Sequence, residues 1–338
     1  MSFKRFDEQD LVISAESISS PAWTSNAVQL TSFFTGSQAA GSSAAYYYNI
    51  YNNGGSNQEI QYSIAYGNKD GGGSLALNTG VLANSPSSII YKQYRTLVNG
   101  TEELDFIFGE KTSKNIFPIS VERARYKEKI LPGSLALSLK DTTGKTITLT
   151  DNSNQVTTET FTDAGRVYEL VSGSQGVIST ALAGVTTGYT NGSGSYGKLL
   201  PDVGLILLNG DALNATYVSG GINLGLTTTS NTAGNNILKA HNAISSGSSF
   251  YLRSEETVSS NFVFVRARNS EFNYSTNPSN ITGSGELRHN SMIDSPQSYI
   301  TAVGLYNDNN DLLAVAKLSR PLLKDFTKEA LVRIKLDY

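Results

Sequence analysis

Two histidines, His241 and His289, are the only imidazoles in the chain, and cysteine is absent. Acid–base and nucleophilic catalysis at neutral pH draw heavily on these two residue types. His241 falls on the apolar side of an expected helix, and His289 lies in the polar run Glu286-Leu-Arg-His-Asn. They read as one packed and one surface imidazole. The nucleophile elbow G-x-S-x-G does not occur. A polysaccharide-cleaving site would need two carboxylates in one cleft, and Asp and Glu are instead scattered among turn segments.

Three stretches imitate binding motifs and fail at named positions. Gly144-Lys-Thr looks like the end of a phosphate-binding loop. That motif needs a glycine where Leu139 stands and a helix where Thr146-Ile-Thr-Leu-Thr alternates as a strand. Gly192, Gly194 and Gly197 satisfy G-x-G-x-x-G, but no apolar strand precedes them and Pro201 follows. Asn307-Asp-Asn-Asn-Asp311 opens like a calcium loop, yet Leu312 replaces the required glycine and Leu318 the closing glutamate. The expectation is therefore no catalytic, cofactor-binding or metal-ligating residue, no cofactor and no small-molecule substrate.

The densest charge run is Glu122-Arg-Ala-Arg-Tyr-Lys-Glu-Lys129. As a strand it would place Arg123, Arg125, Lys127 and Lys129 on one face, either solvated or facing a neighbouring subunit. Such a row also discourages edge-to-edge aggregation. Lys and Arg number 26 against 29 Asp and Glu, a formal net charge of −3, so no nucleic-acid partner is expected. Tyr46, Tyr47, Tyr48, Tyr51, Tyr62 and Tyr66 form an aromatic cluster with residues on both faces of one hairpin. It reads as core plus interface, with a sugar-binding platform as the competing reading.

The elements that position these residues are mostly strands. Tyr46, Tyr48 and Ile50 share a face; after the turn Asn52-Asn-Gly-Gly-Ser-Asn, so do Ile60, Tyr62, Ile64 and Tyr66. A second hairpin pairs Leu135, Leu137 and Leu139 with Ile147 and Leu149 across Asp141–Gly144. A third starts at Tyr299, turns at Asn307–Asn310 and returns through Leu312–Leu318. Asp202–Asn209 reads as a strand buried on both faces. Asn261–Asn269 passes from buried to exposed, and Leu331–Tyr338 alternates to the last residue, as expected of a strand paired in a sheet.

Helix signals are few. Ser85-Pro86 caps and opens one helix, which Asn99-Gly100 stops, with Ile90, Tyr94, Leu97 and Val98 at helical spacing. Asn235–Ser245 is a second, with Ile237, Leu238, His241 and Ile244 on one side. Pro321–Ala330 reads as a short helix or ordered loop. Long Gly/Ser-rich loops are expected at Gly36–Ser43, Gly71–Ser74, Gly173–Gly197 and Ser219–Asn236, ordered by neighbours. The stretch from Gly173 to Gly197 is the best candidate for a break or insertion, and no fixed-period repeat is present.

With 338 residues, 39% apolar and only 16% charged, the chain can bury a sizeable core. Ser, Thr, Asn, Gln and Gly carry its polarity. The expected fold class is mainly β, of the α+β kind: antiparallel sheets or a β-sandwich, a few short helices and long Gly/Ser/Asn-rich loops. The expected organisation is an N-terminal β-rich region over 1–170, with one helix near 86–98, and a C-terminal β-rich region over 171–338 ending in a strand. A single composite domain is the alternative. No apolar run approaches 18 residues, so no membrane span is expected. The N-terminus lacks an apolar h-region, so no Sec signal peptide is expected either. The sequons at Asn99, Asn191, Asn214, Asn273 and Asn280 then reflect composition. The lack of cysteine suits assembly in a reducing cytoplasm.

Several stretches resemble one family. They are Ile60-Gln-Tyr-Ser-Ile-Ala-Tyr-Gly-Asn, Ile90-Tyr-Lys-Gln-Tyr-Arg, Pro201-Asp-Val-Gly-Leu-Ile-Leu-Leu-Asn, the run Phe264–Pro278, and above all Val303–Lys324. Together they are similar to virion structural proteins of contractile-tailed marine phages, notably cyanobacterial myoviruses. The resemblance covers most of the chain and is weakest between Gly173 and Gly197. It implies a structural subunit of the virion, in the tail or baseplate apparatus, with several copies per particle. Its partners would be other virion structural proteins, with assembly in the host cytoplasm. No active residues carry over, because the family has no catalytic motif. A receptor- or glycan-binding tail fibre protein, or a neck or capsid decoration protein, is the alternative.

Overall fold

The computed structural model of the chain describes residues 4–35, 46–73, 80–81, 84–109, 111–179, 196–229 and 235–337. The expected loop over 36–43, Gly192 and Gly194 of the glycine motif, and Tyr338 lie outside these residues, as do parts of the other expected loops. Two compact units are present: Met1–Ser17 with Thr257–Tyr338, and Ile18–Glu256.

The elements follow in chain order, with strands far outweighing helices as expected. β1 (Leu11–Pro21), β2 (Gln29–Leu30), β3 (Phe34–Thr35), β4 (Tyr47–Tyr51), β5 (Ile60–Ala65) and β6 (Gly67–Asn68) precede helix α1 (Pro86–Asn99). Next come β7 (Phe106–Phe108), β8 (Lys111–Ser113), β9 (Asn115–Val121), α2 (Arg123–Tyr126), β10 (Lys129–Ile130), β11 (Ala136–Lys140) and β12 (Thr146–Asp151). They lead to β13 (Thr160–Thr162), β14 (Gly165–Ser174), β15 (Val177–Ile178), β16 (Gly197–Leu200), β17 (Leu205–Asn209), α3 (Gly210–Asn214) and α4 (Asn235–Gly247). The chain closes with β18 (Phe250–Tyr251), β19 (Arg253–Ala267), α5 (Ser291–Asp294), β20 (Gln297–Tyr306), β21 (Leu312–Asp325) and β22 (Ala330–Asp337).

Unit Ile18–Glu256 is built on one 14-stranded sheet, along which the main path runs β2-β18-β11-β12-β14-β16-β17-β9-β5-β4-β3. Its strand pairs are antiparallel. Strands β5 and β18 lie far apart on this path, yet Tyr62 and Phe250 meet edge to face with ring centroids 5.3 Å apart. The sheet therefore curls on itself. Trp23 completes the contact, 4.8 Å from the Phe250 ring, and its indole N–H donates to the Phe250 carbonyl at 2.8 Å. Ile206 and Leu208 of β17 join this inner core, which α4 also covers with Ile237, Ala240 and Ile244. Leu205 and Leu207 point the other way, into a second core closed by Tyr91 and Val98 of α1 and by Phe106 and Phe108 of the β7–β8 hairpin. The Leu205–Asn209 strand is thus buried on both faces, as its unbroken apolar run requires.

The three expected hairpins all form. Ile50 faces Tyr62 and Tyr48 faces Ile64. Leu137 faces Leu149 and Leu139 faces Ile147. Val303 faces Ala316 and Leu305 faces Ala314. Gly144-Lys-Thr is the hairpin turn anticipated: Asp141 accepts the backbone N–H groups of Thr143 and Lys145, and Gly144 takes a φ of +91°.

Helix α1 has the expected Ser85 cap position, Pro86 start and left-handed Gly100 stop. Its buried stripe differs from the expected Ile90, Tyr94, Leu97 and Val98, because Leu97 is exposed and Ser87, Ser88, Tyr91 and Val98 are buried. Long-range contacts turn the helix this way. Ser87 and Ser88 donate to the carbonyls of Gly72 and Lys69, and the Tyr91 hydroxyl donates to Ser113 O. Gly67 permits the approach, since a Cβ there would lie 3.0 Å from the Tyr91 nitrogen. In α4, Ile237, His241 and Ile244 are buried as expected, and Leu238 is exposed.

Two element expectations are overturned. Glu122–Lys129 is not a strand with its cations in a row. Arg123–Tyr126 is a helical turn, in which Arg125 N and Tyr126 N both donate to Glu122 O. Tyr126 is buried there, against Gly204. Pro321 does not open a helix, because β21 continues to Asp325. The ladder pairs Ala302 with Lys317 and Ile300 with Leu322, so Pro321 falls in an irregularity where it need not donate a ladder hydrogen bond. The expected division at 170/171 lies inside β14, whose register partners stand on both sides of it in sequence.

In the other unit, β19 pairs with both β1 and β22. The β19–β22 ladder runs unbroken from Ser260↔Asp337 to Ala267↔Ala330. The β20–β21 hairpin supplies Leu305, Val303, Ala314 and Ala316 to a small core with Val263, Val332 and Ile334. The expected alternation of the last strand is observed, with Ile334 buried and Arg333 and Lys335 exposed.

Candidate assembly surface

The residues singled out for chemistry are kept apart. His241 is buried on α4, where burial lowers its imidazole below the ordinary range and Nδ1 has no hydrogen-bond partner. His289 is exposed in the long connection between β19 and β20. At the calcium-like turn, Asn307 Oδ1 accepts from Asn309 N at 3.0 Å and Asp311 N at 2.7 Å. Its amide donates to Asp311 Oδ2. These groups are bonded to one another as turn chemistry requires. Among the described residues no three His, Cys, Asp or Glu are placed to hold a metal ion.

The basic run disperses. Arg123 lies over the Tyr126 ring, Arg125 reaches Thr24 and Glu59, Lys127 pairs with Glu256, and Lys129 approaches Glu255 at 3.8 Å. Of the tyrosines, Tyr48, Tyr62 and Tyr66 belong to the core, and Tyr47 is exposed. Burial raises the Tyr62 and Tyr66 phenols far above their ordinary value.

Three polar clusters were not legible in the sequence, because their members are distant along it. Asn115 Oδ1 accepts from Tyr66 OH at 2.6 Å and Asn68 Nδ2 at 2.8 Å, while its amide donates to Asp211. Asp211 also accepts from Lys114 N and Ser113 Oγ, so the cluster fastens α3 to β8, β9 and β6. In the second, Arg166 binds Asp202 through its backbone N–H at 2.8 Å and its guanidinium at 2.7 Å, and the Tyr168 hydroxyl donates to Glu159. Burial pushes the Asp202 carboxyl up, but its bonds and charge contact with Arg166 outweigh this and hold it below the usual range. Burial, helped by Glu159, pushes the Tyr168 phenol up to about 12. The ionised Asp202 ties β14 to the turn after β16, and the neutral Tyr168 ties β14 to Glu159 just before β13. In the third cluster the fully buried Lys324 donates from Nζ to Asn269 O at 3.0 Å, Asn273 Oδ1 at 2.8 Å and Asp325 O at 2.9 Å. All three donors of the ammonium are thereby used, which ties the β19–β20 connection to β21.

What remains unspent is apolar surface on strands. β1 exposes every residue from Leu11 to Ser19, with Ile13 69% exposed. A strand covered on one face would alternate. On the β20–β21 hairpin, Leu313 is 68% and Val315 61% exposed on the side away from the small core. Beside them Tyr306 and Leu312 close over Gly304, where a Cβ would lie 2.9 Å from the tyrosine ring. On β22, Leu331 is 60% exposed, and Arg333 and Lys335 lie over the Phe262 ring at 4.6 Å and 5.8 Å. Single exposed apolar residues are ordinary, whereas contiguous ones mark interaction surfaces. Among the described residues no helix is long and apolar enough to cross a membrane. No family model, no curated protein and no solved structure matches the chain.

Proposed function

We propose that this chain is a structural subunit of a bacteriophage virion, in the tail or baseplate apparatus, acting through subunit–subunit contacts without catalysis. The observation that carries the assembly part is β1: a long strand with apolar side chains exposed on both faces and one edge unpaired among the described residues. Such a strand is a liability in an isolated molecule and is satisfied when a neighbour covers it. The virion setting is supported by the resemblance of Val303–Lys324 and the other stretches named above. The aromatic hairpin gives less to a glycan-binding reading, since Tyr48, Tyr62 and Tyr66 are spent in the core.

Affinity labelling of this protein on purified phage particles, followed by negative-stain imaging, tests the reading. Label at the tail or baseplate is expected. Label on the capsid shell would remove the tail placement and leave the virion assignment. Absence of the protein from purified particles would remove both.

A further inference from the structure

Two free edges of one small sheet carry an inference that rests on the assembly reading. Among the described residues, β1 and β22 each pair with β19 and with no other strand, so each presents an outward row of backbone N–H and C=O groups. Soluble proteins blunt such edges with charges, proline or bulges. Over Leu11–Ser17, β1 has one charge, Glu16, and no proline, and all seven residues are exposed. The unbroken ladder of β22 with β19 leaves its far edge regular as well.

We propose that Leu11–Ser17 of one copy docks along the free edge of β22 in a second copy, so that the sheet continues head to tail from subunit to subunit. Three features select this occupant. The lengths match, with seven residues of β1 against the eight of β22. The apolar faces match too. β1 offers Leu11 and Ile13 on one face and Val12 on the other, while β22 offers Val332, Ile334 and Leu336 toward the small core and Leu331 on the opposite side.

The charges match in this pairing and in neither symmetric one. Leu11–Ser17 carries a net charge of −1 from Glu16, and β22 a net +1 from Arg333 and Lys335 against Asp337, so either symmetric pairing sets like net charges together. β1 on β22 sets opposite net charges together, and opposite charges across a strand pair favour pairing. The contact is heterologous, so repetition closes a ring or extends a filament.

Sedimentation velocity on the full chain, over a wide range of concentration, tests this with two edge variants. Ser14→Pro and Ala15→Pro remove adjacent N–H groups that point to opposite edges of β1. One of the two therefore spares the β1–β19 ladder, and circular dichroism identifies it as the folded one. Arg333→Glu/Lys335→Glu reverses the charge of the β22 edge. The wild-type chain is expected to form species larger than a dimer, and each variant alone to be monomeric. An equal mixture of the folded proline variant and the charge variant is expected to form a dimer and nothing larger, because each supplies the edge the other lacks. A monomeric wild type overturns the proposal. So does a charge variant that still dimerises, which is the signature of β1 against β1, or a mixture that stays monomeric. A monomeric chain found in purified particles would refute head-to-tail docking and leave the virion reading. An oligomer absent from particles would do the reverse.

Discussion

At the scale of single residues, the buried polar groups divide into satisfied and unsatisfied ones, and the difference is measurable. His241 is 7% exposed, and its Nδ1 bonds to nothing. Burial lowers its folded pKa, so the fold favours the neutral ring. Above the ordinary histidine value of about 6.5 neither state is protonated and the contribution to stability is whole. Below it the unfolded chain takes up a proton that the fold resists, so stability falls as pH drops through that value toward the lowered folded pKa. His241→Leu removes both the titration and the orphaned nitrogen. Its stability at pH 7.5 is expected within about 1 kcal/mol of wild type, because replacing an unbonded buried polar group by an apolar one is nearly neutral. Its loss of stability between pH 7.5 and 5.5 is expected to be smaller. Urea midpoints at the two pH values check this, and parallel declines in both proteins would count against it. The apolar side of α4 was legible from residue spacing, and so was the packed imidazole. The missing partner was not, because a hydrogen-bond deficit depends on what the tertiary fold brings near.

At the scale of elements, periodicity succeeded where neighbours in sequence decide the structure. Tyr62, Ile64 and Tyr66 alternate and are buried together, and Asn307 folds its own turn. Periodicity failed where a distant segment decides. Arg123, Arg125, Lys127 and Lys129 alternate as well as any strand, yet the segment turns because Tyr126 seats against the bare Cα of Gly204. Gly204 has a φ of +68°, and a Cβ there would lie 2.2 Å from Tyr126 Cε1. Gly204→Ala is therefore expected to lose about 2–4 kcal/mol, from left-handed backbone strain and overpacking together. Gly144 supplies the comparison: its φ is +91°, but nothing lies within 4 Å of the added carbon. Gly144→Ala is expected to lose only the backbone part, about 1–2 kcal/mol. Equal shifts in the urea midpoint for the two variants would show that the Tyr126 contact contributes nothing. The assembly surface was half legible by the same reasoning. The last strand showed its alternation, while β1 drew no expectation, because a run exposed on both faces has no period to read.

At the scale of the whole molecule, composition indicated a β-rich chain but not its division. The division expected from the sequence stands beside a Gly/Ser-rich stretch, where linkers usually fall. The borders of the two compact units, Ser17/Ile18 and Glu256/Thr257, lie within β1 and β19, so no change of composition marks them. The hydrophobic clusters respect these borders. The two larger cores draw only on residues between Ala22 and Leu252, and the smallest only on residues from Val263 onward. A unit that owns its core and is continuous in sequence has what independent folding requires. Recombinant Ile18–Glu256 is therefore expected to be folded and to unfold in one cooperative thermal transition. The other unit is discontinuous, and a fragment from Thr257 onward lacks the first part of β1, leaving β19 without that neighbouring strand. That fragment is expected to be poorly soluble alone and to recover on adding a peptide of residues 1–17. Calorimetry of the first fragment and light scattering of the second check the pair of expectations. An Ile18–Glu256 fragment without a cooperative transition would mean that its two cores do not suffice, and that the chain folds as one body despite the separation of its clusters.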